Sequence, residues 1–357
     1  MIRSLAIVAS GAGAFLLTCL LVEHVLPPEL PWLIREKVAH LAAHGNEYDA
    51  LYLGSSRVEN NMMPAVFDGT VAQHGIAIRS FNGGISAMYP PQDAYMLDRI
   101  LASKPPRLRW VFVELQYLQA ALPRTNRNTL EQVYWHDWPR FSLVCQWLVG
   151  TNKHRHWRDN VWEVVGRLPA LGDHALLFAR RQTNMGRGVQ LLERWVAHEP
   201  APTMDWELLD KNRDGWAPAG IGERRDAQTI ASLDEELEQR RQKPPGRDST
   251  DPVTQKAYDL MVTKIQQAGA TPVLVVPPNA ARGTYYYPRP ERARHLIILD
   301  FCDPKKYPVL YATENRVDTS HLTPAGAEIF TRLLAERFVE ATREGAGYPA
   351  YRSSTSR

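Results

Sequence analysis

Apolar and polar positions follow two rhythms along this chain, and the changes of rhythm mark its elements. Tyr48 to Leu53 is a short, mostly apolar run that stops at Gly54, the pattern of a buried strand. A second short strand precedes Asn82, and a third runs from Trp110 to Leu115. Thr271 to Val276 is a fourth, closed by Pro277 and Pro278, and Tyr307 to Tyr311 is a weaker strand pattern. Helical spacing fits the segments around Pro90 to Leu101 and Thr254 to Ala268. A further helix is predicted after Thr323, as N-cap, and Pro324, at the first helical position, with Ile329, Leu333, Leu334 and Phe338 on its apolar face. Strands alternating with helices predict an α/β fold with a parallel central sheet.

One segment breaks both rhythms. Leu5 to Val22 is eighteen residues without a charge, led by Arg3 and followed by Glu23, His24, Pro27 and Pro28. That length is enough to span a bilayer. No small-x-small site follows it, and Thr18 precedes Cys19 where a lipoprotein signal carries a smaller residue, so residues 1–26 are expected to be an uncleaved anchor. Arg3 on the short leading side predicts an N-inside, single-pass protein of the cytoplasmic membrane whose remainder is extracytoplasmic.

Composition adds exclusions. The net charge of +3 is too small, and too scattered, to predict nucleic-acid binding. Three cysteines, one of them in the apolar segment, do not make a disulfide framework. Between 117 and 249 the alternation is lost and Trp, Arg, His and Asp accumulate, as in Tyr134 to Trp138 and Lys211 to Trp216. This stretch reads as an insertion folded over the catalytic face, its aromatic rings suited to sugar faces, although tryptophans more often pack cores. Leu233 to Arg241 reads as a solvated helix. His136, His154 and His156 lack metal-ligand spacing, so neither metal nor cofactor is expected. From 341 the chain reads as a disordered tail.

The candidate chemistry lies at the two ends of the α/β pattern. Gly54-Ser55-Ser56-Arg57 is a small-residue turn at the carboxyl end of the first strand, where open α/β sheets place ligands. Asp318 and His321 stand three residues apart just before the last helix. A serine hydroxyl needs an imidazole to take its proton, and the imidazole needs a carboxylate to fix its tautomer. His321 is therefore the candidate base, Asp318 its orienter, and Ser55 or Ser56 the nucleophile.

These two motifs resemble blocks I and V of the SGNH/GDSL hydrolase superfamily, with Ser55 where the family carries Asp. Carried over position by position, the resemblance puts the nucleophile on Ser56 and the triad on Ser56, His321 and Asp318. Phe81-Asn82-Gly83-Gly84-Ile85-Ser86 resembles block II, implying an oxyanion-hole donor at Gly84, with Gly83 the alternative. The block III asparagine is missing after Glu114, where Gln116 stands, so the implied oxyanion hole is Ser56, Gly84 and Gln116. Arg57, Asn82, Trp135 and His136 are weaker candidates for substrate contact. The implied fold is a flavodoxin-like three-layer α/β/α core, residues 27–116 and 250–340. With the apolar N-terminus, the chain resembles the envelope-associated branch that includes the alginate O-acetylation proteins and the D-alanyl transfer protein of teichoic acids. That implies a serine acyltransferase or esterase acting on ester-linked acyl groups, acetyl by analogy, of an exported glycan, beside a membrane-bound O-acyltransferase. The alternative is an inactive scaffold or binding subunit with the same fold.

Overall fold

Ala50 to Leu53 lies inside a sheet, between two other strands, because nothing in it needs water: all four residues are buried. In a computed structural model of the chain, the residues described are 2–25, 30–118, 122, 129–150, 157–184, 213–219, 227–242, 252–279 and 296–343. They belong to two units, 1–36 with 118–205, and 37–117 with 206–357. The helices in chain order are α1 (Ile2–Val25), α2 (Trp32–His44), α3 (Ser56–Asn61), α4 (Pro64–Gln73), α5 (Gln92–Ala102), α6 (Leu130–Val133), α7 (Trp138–Gly150), α8 (Trp157–Thr183), α9 (Ala227–Gln242), α10 (Pro252–Gln267) and α11 (Pro324–Arg343).

The larger unit holds a five-stranded sheet of β1 (Ala50–Leu53), β2 (Ser80–Asn82), β3 (Trp110–Glu114), β4 (Thr271–Val276) and β5 (Ile297–Asp300). Its order is β2-β1-β3-β4-β5 and every pairing is parallel, with Leu51 opposite both Phe81 and Val111. This is the flavodoxin-like order, whose direction reverses between β1 and β3, and ligands of such sheets bind outside the carboxyl ends at that reversal. β1, β3 and β4 match the sequence pattern to within two residues, and β5 was not anticipated. Tyr307 to Tyr311 is not a strand: Pro308–Tyr311 is a 3₁₀ turn, since Pro308 has no N–H for a ladder and Tyr311 turns inward to donate to the Phe301 carbonyl.

One sheet face, with Tyr52, Phe112, Val273 and Val275, packs against Phe67 of α4 and Phe330 and Phe338 of α11. The Phe112 ring stands 5.1 Å from Tyr52 and 5.3 Å from Phe338. Truncating such a residue to Ala costs about 3–5 kcal/mol. The alternate residues Leu51, Leu53, Val113 and Leu274 are also buried, and α10 packs on β4 with α5 against α10. α11 begins as its sequence predicts, the Gly326 N–H donating to Thr323 Oγ1 at 3.2 Å.

Two parts of the expected insertion belong to this unit. Residues 213–217 cover the edge of β2: the Asn82 N–H donates to the Asp214 carbonyl at 2.7 Å, and the Trp216 indole N–H to the Asn60 carbonyl at 2.9 Å. That pairing removes an open sheet edge. α9 is not merely solvated, since Leu233 and Leu237 are buried and Leu237 joins the core.

The smaller unit is helical. In α1, the stretch Arg3–Val22 is long and apolar enough to cross a membrane. Cys19, its buried residue, donates from Sγ to the Thr183 carbonyl at the end of α8 at 3.6 Å, and Asn184 Nδ2 donates to the Cys19 carbonyl. Trp135 and His136 are interior to this unit, with 1% and 0% exposure. His136 Nδ1–H donates to the Gln132 carbonyl, and His136 Nε2 meets His174 Nδ1 at 2.9 Å. Burial, with the neighbouring His174 adding to it, lowers the His136 pKa to about 3. His154, His156, Lys211 and the tail beyond Arg343 lie outside the described residues.

Candidate active site

Ser56 is the first residue of α3, directly after the turn that closes β1. Ser55, the N-cap, accepts the Arg57 N–H on its Oγ, so its hydroxyl is a structural cap while that of Ser56 remains available. The Ser56 hydroxyl donates to His321 Nε2 at 2.7 Å, and His321 Nδ1–H donates to Asp318 Oδ2 at 2.7 Å. Residues 265 apart in sequence thus form one relay. Asp318 Oδ1 also accepts the N–H groups of Ser320 and His321, at 2.7 and 2.8 Å. Burial is the largest single influence on this carboxyl and pushes its pKa up. The bonds from His321 and Ser320, with the imidazole's charge, outweigh it and hold the group below the usual carboxylate range.

Four residues that the sequence did not single out hold this geometry. Asn61, at the last position of α3, accepts the Leu322 N–H on Oδ1 at 3.0 Å and donates to the Ser320 carbonyl at 3.3 Å. The serine's helix therefore grips the histidine's loop directly. Arg316, 2% exposed, donates to the carbonyls of Asp318, Thr319 and Leu310. Beneath the serine turn, the fully buried Glu114 accepts the Ser55 N–H at 2.6 Å and pairs with Arg57 Nε at 2.6 Å. Lys37 Nζ, also buried, donates to the carbonyls of Gly84 and Gly215 at 2.7 and 2.9 Å. It lies 3.9 Å from Glu59, whose other oxygen accepts from the Ser86 hydroxyl at 2.6 Å.

The implied oxyanion hole needs correcting. The Gly84 N–H is already committed to Asn82 Oδ1 at 2.8 Å, and the Gly83 N–H to the Tyr52 carbonyl at 2.8 Å. Gly84 is a glycine for space, because a Cβ there would fall 2.4 Å from the backbone nitrogen of Glu59. Gln116 is 4% exposed, accepts from Arg57 on Oε1 and donates to the Met88 carbonyl at 3.3 Å. Among the described residues around this turn, the N–H of Ser56, an orphan of the first helical turn, and those of Ser86 and Ala87 donate to no protein acceptor. Ala87 lies on the loop whose Ile85 N–H is tied to the Gly54 carbonyl, and its φ of 59° is left-handed. A non-glycine residue in that conformation is uncommon and marks a constrained turn.

Of the weaker candidates for substrate contact, only Arg57 is in this neighbourhood with exposed surface, its side chain 16% open. Asn82 is fully buried and spends its amide on the Val58 and Met62 carbonyls, so it holds α3 to β2 and has no surface for substrate. Trp135 and His136 are core residues of the helical unit, their polar run having suggested a sugar platform that their burial removes. Among the described residues there is no cluster of three or more His, Cys, Asp or Glu side chains fit to hold a metal.

The site is thus a serine, histidine and aspartate in hydrogen-bonded sequence at the carboxyl end of β1, where a parallel sheet changes direction. No protein-family model matches the chain, and no curated protein does.

Proposed function

We propose that the protein is a serine-dependent acyl-transfer enzyme of SGNH type, with Ser56 as nucleophile, His321 as base and Asp318 as orienter. The observation that carries this reading is the pair of 2.7 Å contacts joining the three groups. As Ser56 Oγ attacks an ester carbonyl carbon, its proton passes to His321 Nε2, and the carbonyl oxygen takes the electron pair as an oxyanion. The N–H of Ser56, which donates to no protein acceptor, receives that charge; one such donor is worth about 3–4 kcal/mol of barrier. Collapse expels the alcohol, protonated by His321, and leaves an acyl-Ser56 ester. A water or a sugar hydroxyl, deprotonated by the same histidine, then releases the acyl group.

Hydrolysis and transfer use this chemistry equally. The resemblance to the envelope-associated branch favours transfer to or from an exported glycan, with acetyl as the acyl group and a membrane-bound O-acyltransferase as donor partner. α1 is read as a single-pass anchor in the cytoplasmic membrane with the larger unit outside. The test is intact-mass detection of a fluorophosphonate adduct on Ser56 in the full chain in detergent. One adduct, absent from Ser56→Ala, is expected. No adduct on a folded chain would overturn the catalytic reading and leave a scaffold with the same fold.

A further inference from the structure

Helix α8 is built with its apolar face outward. From Val161 to Gln182 every exposed position is uncharged, and Trp162, Leu168 and Leu176 are 72%, 52% and 53% open. The charged residues, Glu163, Arg167, Asp173, Arg180 and Arg181, are half-buried instead. Glu163 pairs with Arg167, Arg167 Nη1 donates to the Trp147 and Leu148 carbonyls of α7, and Arg181 donates to the Tyr134 carbonyl. A helix on the surface of a water-soluble domain has the opposite arrangement, and an exposed apolar stripe of this length marks a surface that something covers.

Continuity with α1 identifies what covers it. The stretch Arg3–Val22 holds 20 residues, about 30 Å of helix and so the thickness of a hydrocarbon core. The end of α8 meets α1 at Cys19, near the point where that stretch ends. The carboxyl end of α8 therefore lies at the membrane boundary. It is not a second crossing: α7, its partner in the hairpin, has 13 residues, too few to span, and α8 carries Glu163, Arg167 and Asp173 along its length. A helix with one apolar and one charged face lies in the interfacial plane.

We propose that the uncharged face of α8 rests in the headgroup and upper acyl region of the lipid bilayer that α1 crosses, so that the helical unit holds the membrane by a second, in-plane contact. The inference depends on the reading of α1 as a membrane span. The test uses the full chain with Cys145→Ala, the buried Cys19 and Cys302 being shielded from labelling. Single cysteines at Leu16 in α1, at Val165 or Leu168 in α8, and at Glu328 in α11 as a water-facing control carry an NBD fluorophore. The protein is reconstituted at low density in phosphatidylcholine–phosphatidylglycerol vesicles.

At both Val165 and Leu168 we expect blue-shifted emission, protection from iodide, and quenching several-fold stronger by lipids brominated high in the acyl chain than near its methyl end. If Leu16 is quenched by brominated lipid while both α8 probes meet iodide as freely as Glu328, the inference fails and the anchor stands. If Leu16 also meets iodide, the anchor reading itself fails. Quenching of the α8 probes strongest at the methyl end would mean a crossing helix, and protection that grows with protein density would mean a second copy on this face. Either would overturn the proposal. Two separate α8 positions guard against one substitution disturbing the fold.

Discussion

Asp318→Asn is the sharpest test of the relay, because the surrounding hydrogen bonds dictate how the new amide must sit. Oδ1 of Asp318 accepts the Ser320 and His321 N–H groups, at 2.7 and 2.8 Å. An asparagine placed with its NH₂ there would set donors against donors, so its carbonyl must keep those bonds and its NH₂ must face His321 Nδ1. That amide donates, so Nδ1 must accept, and the imidazole proton moves to Nε2. Nε2 lies 2.7 Å from Ser56 Oγ, and the serine proton then has nowhere to go. A tautomer error of this kind costs about 10⁴ in rate, close to 5 kcal/mol of barrier. The two backbone bonds survive, so the fold should as well. The measurement is the second-order rate of fluorophosphonate labelling, alongside circular dichroism and a melting curve. A folded Asp318→Asn protein labelled within about tenfold of wild type would leave under about 1.4 kcal/mol for the carboxylate and refute the relay.

Ser56→Ala should abolish labelling with the melting temperature nearly unchanged, whereas Ser55→Ala should keep labelling and lose about 1 kcal/mol of stability with its cap; the reverse pattern would move the nucleophile by one residue. Asn61→Ala leaves the Leu322 N–H without its acceptor, at about 1–3 kcal/mol, and should slow labelling while leaving Ser56 as the labelled site in a peptide map; an unchanged rate would show that the histidine loop holds its own position. Glu114→Gln strips the buried carboxylate from Arg57, a loss of about 3–5 kcal/mol for a broken buried pair, visible as a lower denaturation midpoint; a neutral result would mean that Arg57 relocates to water without cost. For His136, held near 3 when folded against 6.5 in the unfolded chain, the unfolded state binds the proton that the folded state excludes. Its contribution is therefore complete above pH 6.5 and declines by up to about 1.4 kcal/mol per unit as pH falls toward 3. Guanidinium unfolding of wild type and His136→Gln should show the steeper acid loss in wild type, and parallel curves would contradict the lowered pKa of His136.

The triad was legible because each member sits beside a punctuation mark: Ser56 after an apolar run and a glycine, Asp318 and His321 before a Thr-Pro helix start. The parts that hold it were not. Asn61 bonds to the backbone of a segment 259 to 261 residues away, and a polar residue on a short helix looks like surface in sequence; Arg316 folds back on carbonyls of its own loop, which an isolated arginine in sequence does not announce. Gly84 gave a true signal with the wrong cause, since it marks close packing on Glu59 and not a free N–H. Ala87 gave none, because left-handed backbone is announced by glycine or asparagine and seldom by alanine. Trp135 and His136 sit in a polar, aromatic run, and only His174, 38 residues on, makes that run an interior. For α8, composition is the same whichever face is outward, so its inverted arrangement needs the hairpin partner to be seen.

The turn that carries Ser55 and Ser56 is supported from another strand. Gly54 has no Cβ, and one placed there would fall 2.4 Å from Glu114 Oε2, so the absence of a side chain admits a carboxylate beneath the turn. Glu114 comes from the end of β3, next to β1 in the sheet, and clamps the Ser55 N–H. A lone buried carboxylate so near the nucleophile would oppose an oxyanion, because charges act strongly where water is excluded. Arg57, the residue after the nucleophile, lies on it at 2.6 Å and neutralises it. On the proposed reading, the Gly-Ser-Ser-Arg turn therefore presents Ser56 beside a paired carboxylate and not beside an unpaired anion. Since α3 carries Ser56 at one end and, at the other, Asn61 gripping the histidine loop, nucleophile and base are positioned by one short helix whose start is pinned by β1 and β3 together.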